Sequence, residues 1–340
     1  MRTSDFDYQL PPDLIAQHPA EPRDASRLLV LHRDSGQIEH RHFRDLPDCL
    51  APPDVLVVNE SKVIPARLLA KKLSTGGKVE LLLLRRMSSD TWETLVGGKR
   101  VLAGQQLQVG PHTAATVVEH LGGTRRAVRF EQPVEELMEA FGQAPLPPYI
   151  KEPLRDPRQY QTVFARHPGS AAAPTAGLHF TPELLDRIER AGVTIVRLTL
   201  HIGLDTFAPV TEAAPEQHTI HREWCRLDDA AAQRINQARR EGGRIVAVGT
   251  TTVRTLETAV ALAPPRCVVA PYQGATELFI LPGFRFRAVD ALVTNFHLPR
   301  STLLMMVSAF AGRERILQAY EAAKALRYRF YSFGDAMLIS

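Results

Sequence analysis

The chain has 340 residues, 44% of them hydrophobic and 23% charged, with a formal net charge of +4. That is enough chain for two ordinary domains, and too apolar and balanced a composition for a disordered one. No apolar run approaches the roughly 20 residues of a membrane helix, no apolar core follows Met1-Arg2-Thr3-Ser4-Asp5, and Cys49, Cys225 and Cys267 lie far apart. The expectation is a cytoplasmic protein in a reducing compartment, with no disulfide framework or zinc-thiolate site.

In chain order, the stretch to about residue 60 holds two strand-like runs, Leu28–His32 and Val55–Asn59, between polar and proline-rich turns. From 61 to about 131 the text changes to short β-rich runs: Val79–Leu84, Trp92–Val96, Gln106–Val109, Ala114–Glu119 and Arg126–Phe130. Glycine pairs at 76–77, 97–98 and 122–123 fall between them, which predicts a small barrel or strongly curved sheet. After Pro145-Leu146-Pro147-Pro148 helix and strand alternate. Thr181-Pro182-Glu183 opens a helix with a hydroxyl cap, a first-turn proline and an acid near the positive end. Gly192 is placed to end that helix, and Val193–Leu200 reads as a buried strand. A polar helix at 228–241, a strand at 244–248 and a helix from about Val253 to Leu262 follow, then a strand Ala291–Thr294 and a helix starting near Ser301.

Repeated strand–loop–helix units imply an α/β fold, a mostly parallel sheet with helices on both faces. The expected division is an α/β domain of residues 1–60 and 150–340, interrupted by an inserted small β-barrel domain of residues 61–149. Charge is divided too. Ser61–Phe130 carries twelve basic and four acidic residues, +8, so the remainder carries −4. Such a field suits a phosphate backbone, and it equally suits a solvated sheet surface.

Ligands of such sheets bind beyond the carboxyl ends of the strands, so the loops there deserve the closest reading. Gly169–Thr181 is rich in small residues and delivers His179 just before a helix start; the imidazole is a candidate acid/base or a cap. Gly249-Thr250-Thr251-Thr252-Val253-Arg254 follows a strand and opens a helix, offering N–H groups and hydroxyls to an anion or a sugar, or simply capping the helix. It lacks both the dinucleotide fingerprint and the P-loop lysine. Thr294-Asn295-Phe296-His297 is a third such loop. His218-x-x-His221-x-Glu223 with Cys225 superficially resembles a metal set, but it has no paired cysteines and no metalloprotease helix pattern; no metal is expected, and the segment reads as a surface strand with histidines or a substrate contact. At the C-terminus, Tyr328–Leu338 interleaves aromatics with arginine around Gly334-Asp335, either to stack on bases or to complete the sheet.

Several longer strings tie these blocks together: Asp5-Phe-Asp-Tyr, Leu14-Ile-Ala-Gln-His-Pro19, Val57-Val-Asn-Glu-Ser-Lys-Val-Ile-Pro-Ala-Arg67, Leu146-Pro-Pro-Tyr-Ile-Lys151, Ala173-Pro-Thr-Ala-Gly-Leu-His-Phe180, Ala247–Glu257, Asp290–Pro299 and Tyr331–Leu338. With them the chain resembles, nearly end to end, the S-adenosylmethionine:tRNA ribosyltransferase-isomerase family of queuosine biosynthesis. Asp205 stands where that pattern expects glycine, and Arg222 where serine is usual.

The resemblance implies an α/β domain with a β-barrel insert. It implies that the ribosyl part of S-adenosylmethionine is moved to 7-aminomethyl-7-deazaguanine at the wobble position of a tRNA and isomerised to epoxyqueuosine, releasing adenine and methionine. The partners are then that tRNA and S-adenosylmethionine, a consumed substrate, with no metal or redox cofactor; separately from the resemblance, the chain is expected to be a monomer. His179 or His297 would do acid/base work, with Asp335 orienting or replacing them. Thr250, Thr251, Arg254 and Asn295 would hold S-adenosylmethionine. Lys62, Arg67, Arg85, Arg86, Arg125, Arg126 and Lys151 would meet tRNA phosphates, and Tyr149 would stack on a base. An S-adenosylmethionine-dependent RNA methyltransferase is the first alternative, though the glycine-rich first loop is missing; a non-catalytic tRNA-binding protein is the second.

Overall fold

The computed structural model describes residues 1–203 and 209–340; Asp205 lies outside them. Two compact units are present, Met1–Lys62 with Pro147–Ser340, and Val63–Leu146.

In chain order the first unit begins with β1 (Arg27–Leu31), β2 (Ile38–His42), β3 (Val55–Asn59) and β4 (Ser61–Val63), the last running across the boundary. The second unit contains β5 (Arg67–Lys72), β6 (Lys78–Arg86), β7 (Thr91–Gly97), β8 (Gln106–Val109), β9 (Thr113–Gly122), β10 (Arg125–Phe130) and α1 (Val134–Phe141). Its six strands close into a barrel in the order β10-β7-β6-β5-β8-β9. Closure leaves no open edge, and the alternating burial of β6 and β7 packs Leu81, Leu83, Trp92 and Val96 inside.

The first unit resumes with β11 (His167–Ser170), α2 (Pro182–Arg190), β12 (Thr194–Leu200), β13 (Glu223–Leu227), α3 (Asp229–Arg240), β14 (Ile245–Val248) and α4 (Thr250–Ala259). It ends with β15 (Tyr272–Thr276), β16 (Ala291–Asn295), α5 (Thr302–Ala311), α6 (Arg313–Ala325) and β17 (Ala336–Ile339). Nine strands form one sheet ordered β15-β13-β12-β3-β14-β16-β17-β1-β2. Its centre is parallel, β12 with β3, β3 with β14, and β14 with β16. Antiparallel pairs β12–β13, β13–β15, β16–β17 and β1–β2 lie to its sides, with a further parallel pair β17–β1, so the sheet is mixed. Val55 and Val57 face one core with residues of α3, α4, α5 and α6; Leu56 and Val58 face another with α2 and the turn at Phe43–Cys49. Strands buried on both faces must be apolar at every position, and β3, β14 and β16 are buried throughout.

Local signals shape the helix starts. Thr181 accepts from the Leu184 N–H (3.1 Å), Asp228 from Ala231 (2.8 Å) and Ser301 from Leu304 (3.1 Å), each satisfying an otherwise orphaned donor.

Candidate functional site

Four adjacent parallel strands, β12, β3, β14 and β16, end at one edge of the sheet. Beyond that edge lies a cleft of about 360 Å³ walled by Ala173–Ala176, Gly249-Thr250-Thr251, Thr294-Asn295, His297, Ile202 and Leu303. The three loops singled out after strands thus converge on one cavity. Gly249 caps α4 at φ +86°, a region costly to a side chain, whereas the space there would admit one, an added Cβ lying 3.7 Å from the Cβ of Ala176. Gly177 is equally constrained, since an added Cβ would sit 2.7 Å from the Phe164 ring.

A chain of hydrogen bonds fixes the protonation of His179. The Asn295 amide nitrogen donates to the Tyr331 carbonyl (3.2 Å), while its oxygen accepts from the Thr175 hydroxyl (2.9 Å). With the amide so oriented, its nitrogen also donates to His179 Nε2 (3.3 Å). The proton of a neutral His179 is therefore on Nδ1, which donates to the Ser26 hydroxyl at 2.8 Å. Burial pushes the His179 pKa down to about 4, Asp335 opposing the shift, and the ring stacks on Phe43 with centroids 4.9 Å apart. His179 does not line the main cleft; it borders a smaller cavity of about 200 Å³ with Arg23, Ser332 and Phe333.

His297 does line the cleft. Its Nε2 lies 2.7 Å from the Thr294 hydroxyl, its N–H donates to Tyr320, and its carbonyl accepts from Tyr8. Burial pushes its pKa down to about 3, so it too is neutral at pH 7. Asp335, 1% exposed, is taken up by arginine. It accepts from the Arg27 guanidinium (3.0 Å) and from the Arg27 and Arg329 backbone N–H groups. Its geometry is that of an anchor between β1 and the C-terminal loop.

Thr250 and Thr251 sit at the start of α4 on the cleft wall, Thr251 accepting from the Asn59 amide at 3.2 Å. Arg254, one turn on, lines a neighbouring cleft and is paired with Glu223. His218, from the same stretch as Glu223, meets Glu212 at 3.0 Å; no group of three or more His, Cys, Asp or Glu suited to a metal occurs among the described residues. Arg222 pairs with Glu277 on the surface at 2.5 Å.

The basic residues fall in both units. Arg67 pairs with Glu80 (2.6 Å), Arg85 and Arg125 share Glu93 (3.1 and 3.3 Å), and Arg86 meets Glu135 (3.2 Å). Arg126 donates to the Gly123 and Arg125 carbonyls. Lys62 and Lys151 are exposed on the first unit. Tyr149 packs on Tyr331 with centroids 4.7 Å apart and bonds Ser332 through its hydroxyl, and Tyr328, Phe330 and Phe333 are buried in the core. Sequence reasoning missed Ser26, Phe43, Asn59 and Thr175 as partners of the site, and it picked out Glu223 only within the His218–Glu223 set, without its partner Arg254. Of the four, Asn59, a polar residue ending an apolar strand, left a signal that could have found it.

Known proteins agree with this architecture. The model of a family described as queuosine biosynthesis protein matches residues 3–339. A protein of Symbiobacterium thermophilum is 58% identical, and one of Moorella thermoacetica 57%, each over 100% of both chains. Both carry the name S-adenosylmethionine:tRNA ribosyltransferase-isomerase. The crystal structure of an S-adenosylmethionine tRNA ribosyltransferase from Thermotoga maritima superposes with a TM-score of 0.58 at 42% identity, covering 99% of this chain and 100% of that one. No described helix is long and apolar enough to cross a membrane. A match of this extent, on the fold and cleft described above, means that the chain belongs to the queuosine biosynthesis protein family.

Proposed function

We propose that this chain is an S-adenosylmethionine:tRNA ribosyltransferase-isomerase. It transfers the ribosyl part of S-adenosylmethionine to 7-aminomethyl-7-deazaguanine at the tRNA wobble position and isomerises it to epoxyqueuosine, with adenine and methionine leaving. The observation that carries the reading is end-to-end identity of 57–58% with relatives of that name. The convergence of three polar strand-end loops on one cleft supports it. On this reading the protein works in the cytoplasm as a monomer, with tRNA and S-adenosylmethionine as partners and no resident cofactor.

The reaction needs a base for the acidic proton beside the sulfonium, an acid for the departing adenine, and groups that hold the ribose while excluding water. His297 is assigned the proton transfer because it is the histidine that lines the cleft, with its Nε2 2.7 Å from the Thr294 hydroxyl. His179, with its Nε2 tied to Asn295, is a positioning residue that fixes the amide facing the cleft. Asp335 holds the C-terminal loop that carries Tyr331 and so supports that amide indirectly. Thr250, Thr251 and Asn295 meet ribose hydroxyls or a base edge. Arg67, Arg85, Arg86, Arg125, Arg126, Lys62 and Lys151 contribute to the phosphate-binding field, and Tyr149 is a stacking surface for a base.

The test is the fate of label. S-adenosylmethionine labelled in the ribose is expected to transfer label to precursor tRNA, whereas methyl-labelled material transfers none. The reverse pattern would establish a methyltransferase, and binding without any transfer would leave a tRNA-binding protein.

A further inference from the structure

A second cleft, of about 440 Å³, adjoins the first. Leu303 walls both clefts, and α4 runs past both: Thr250 and Thr251 face the first, Arg254 the second. Four residues of helix separate Thr250 from Arg254, about 6 Å of rise. The second cleft is lined by apolar groups, among them Leu278, Phe279, Leu303 and Met306, by His218, His221 and Thr302, and by one ion-paired wall. That wall is Glu223 with Arg254, 4% and 5% exposed and in direct contact. Glu223 Oε1 also accepts the Gly203 N–H at 2.9 Å, and Arg254 Nε donates to the Leu278 carbonyl at 3.1 Å, so both groups are held in place.

A buried ion pair is costly to desolvate, and replacing it with packed apolar residues is often no loss to stability. Its position on a cavity wall points to recognition. A lone anion entering the cleft would be attracted by Arg254 and repelled by Glu223, and a lone cation the reverse. A zwitterion with adjacent opposite charges satisfies both. Its carboxylate accepts from the guanidinium, which has five N–H donors, and its ammonium donates to the carboxylate.

We infer that the Glu223–Arg254 cleft receives the α-amino acid end of S-adenosylmethionine, with the two methylenes of its side chain against Leu303 and Met306. The sulfonium then lies at Leu303, and the ribose enters the cleft of Thr250, Thr251, Asn295 and His297. The inference rests on the proposed function and extends it. It gives the segment from His218 to Glu223 a binding role in place of a metal.

The experiment is calorimetric titration of the full chain with S-adenosylmethionine, its decarboxylated form, and 5′-methylthioadenosine, which lacks the amino acid. Wild-type protein should prefer S-adenosylmethionine to either of the others by about tenfold or more, the scale of a charged hydrogen bond. Glu223→Gln should lose about tenfold of that preference and keep its affinity for 5′-methylthioadenosine within about twofold. Ile220→Trp narrows the second cleft from a half-buried position with both charged residues left in place, and should do the same should Glu223→Gln fail to fold. If the wild type turns over S-adenosylmethionine while neither variant changes the preference, the inference is overturned. If the wild type neither binds nor consumes S-adenosylmethionine, the functional reading falls and takes the inference with it.

Discussion

The depressed pKa of His179 makes a stability prediction that can be worked through. In the unfolded chain this imidazole titrates near 6.5; in the fold, burial brings it to about 4. Between those values the unfolded chain binds the extra proton and the folded chain does not. The neutral ring's contribution is therefore fully present above pH 6.5 and is lost as pH falls toward 4. At pH 4.5 the linkage amounts to about 2 to 3 kcal/mol for this one residue. The geometry explains why relaxation does not remove it, since a proton on Nε2 would face the Asn295 amide nitrogen held by the Tyr331 carbonyl. The assay is urea unfolding at pH 7 and pH 4.5, comparing the wild-type imidazole with His179→Gln. Trp92 belongs to the barrel and Trp224 to the α/β unit, so emission from Trp224 in a Trp92→Phe background reports the relevant transition. The variant should be less stable at pH 7 yet lose about 2 to 3 kcal/mol less on acidification. Equal losses in both proteins would refute the idea that the fold holds this ring neutral.

Other expectations concern separate parts of the molecule. His297→Ala should lower kcat by about 10²- to 10⁴-fold, and if it keeps turnover within a few-fold the acid/base assignment is wrong; His179→Ala should also lower kcat, through Asn295, and unchanged turnover there would remove its positioning role. Asp335→Asn removes the charge between Arg27 and Arg329 and should cost about 3 kcal/mol in chemical denaturation, whereas an unchanged midpoint would deny the anchor role. Reversing Arg85, Arg86, Arg125 and Arg126 together should weaken tRNA binding and flatten its dependence on salt by about 0.9 per lost phosphate contact. An unchanged salt slope would remove the barrel from the docking surface.

What the sequence disclosed follows from where each residue's partners are. Val55–Asn59, Ile245–Val248 and Ala291–Asn295 read as strands because a strand buried on both faces is an unbroken apolar run. The flanking strands were harder. Glu223–Leu227, at the side of the sheet, buries Glu223 and exposes Trp224, and the barrel strand Arg67–Lys72 exposes Leu69 as well as Lys71, so neither shows the apolar–polar alternation that marks a half-buried strand. Helix Arg313–Ala325 went unread as well, its buried face being carried by only two large apolar residues, Ile316 and Tyr320, with Ala319 and Ala323. The candidate loops were visible because polar groups just after apolar strands are conspicuous. Their partners were not: Ser26 meets His179 from 153 residues away, and Glu223 meets Arg254 only because β13 lies beside α4. The aromatics of Tyr328–Phe333 carried no sign of their burial, because the core they fill is built from Tyr8, Phe296 and Tyr320, far off in sequence.

The central claim meets its most direct test in one incubation of the purified chain with S-adenosylmethionine and tRNA carrying 7-aminomethyl-7-deazaguanine, with small molecules and digested nucleosides both analysed. The account predicts adenine and methionine in step with an epoxyqueuosine nucleoside. S-adenosylhomocysteine with a methylated nucleoside, or precursor tRNA recovered unchanged, would contradict it.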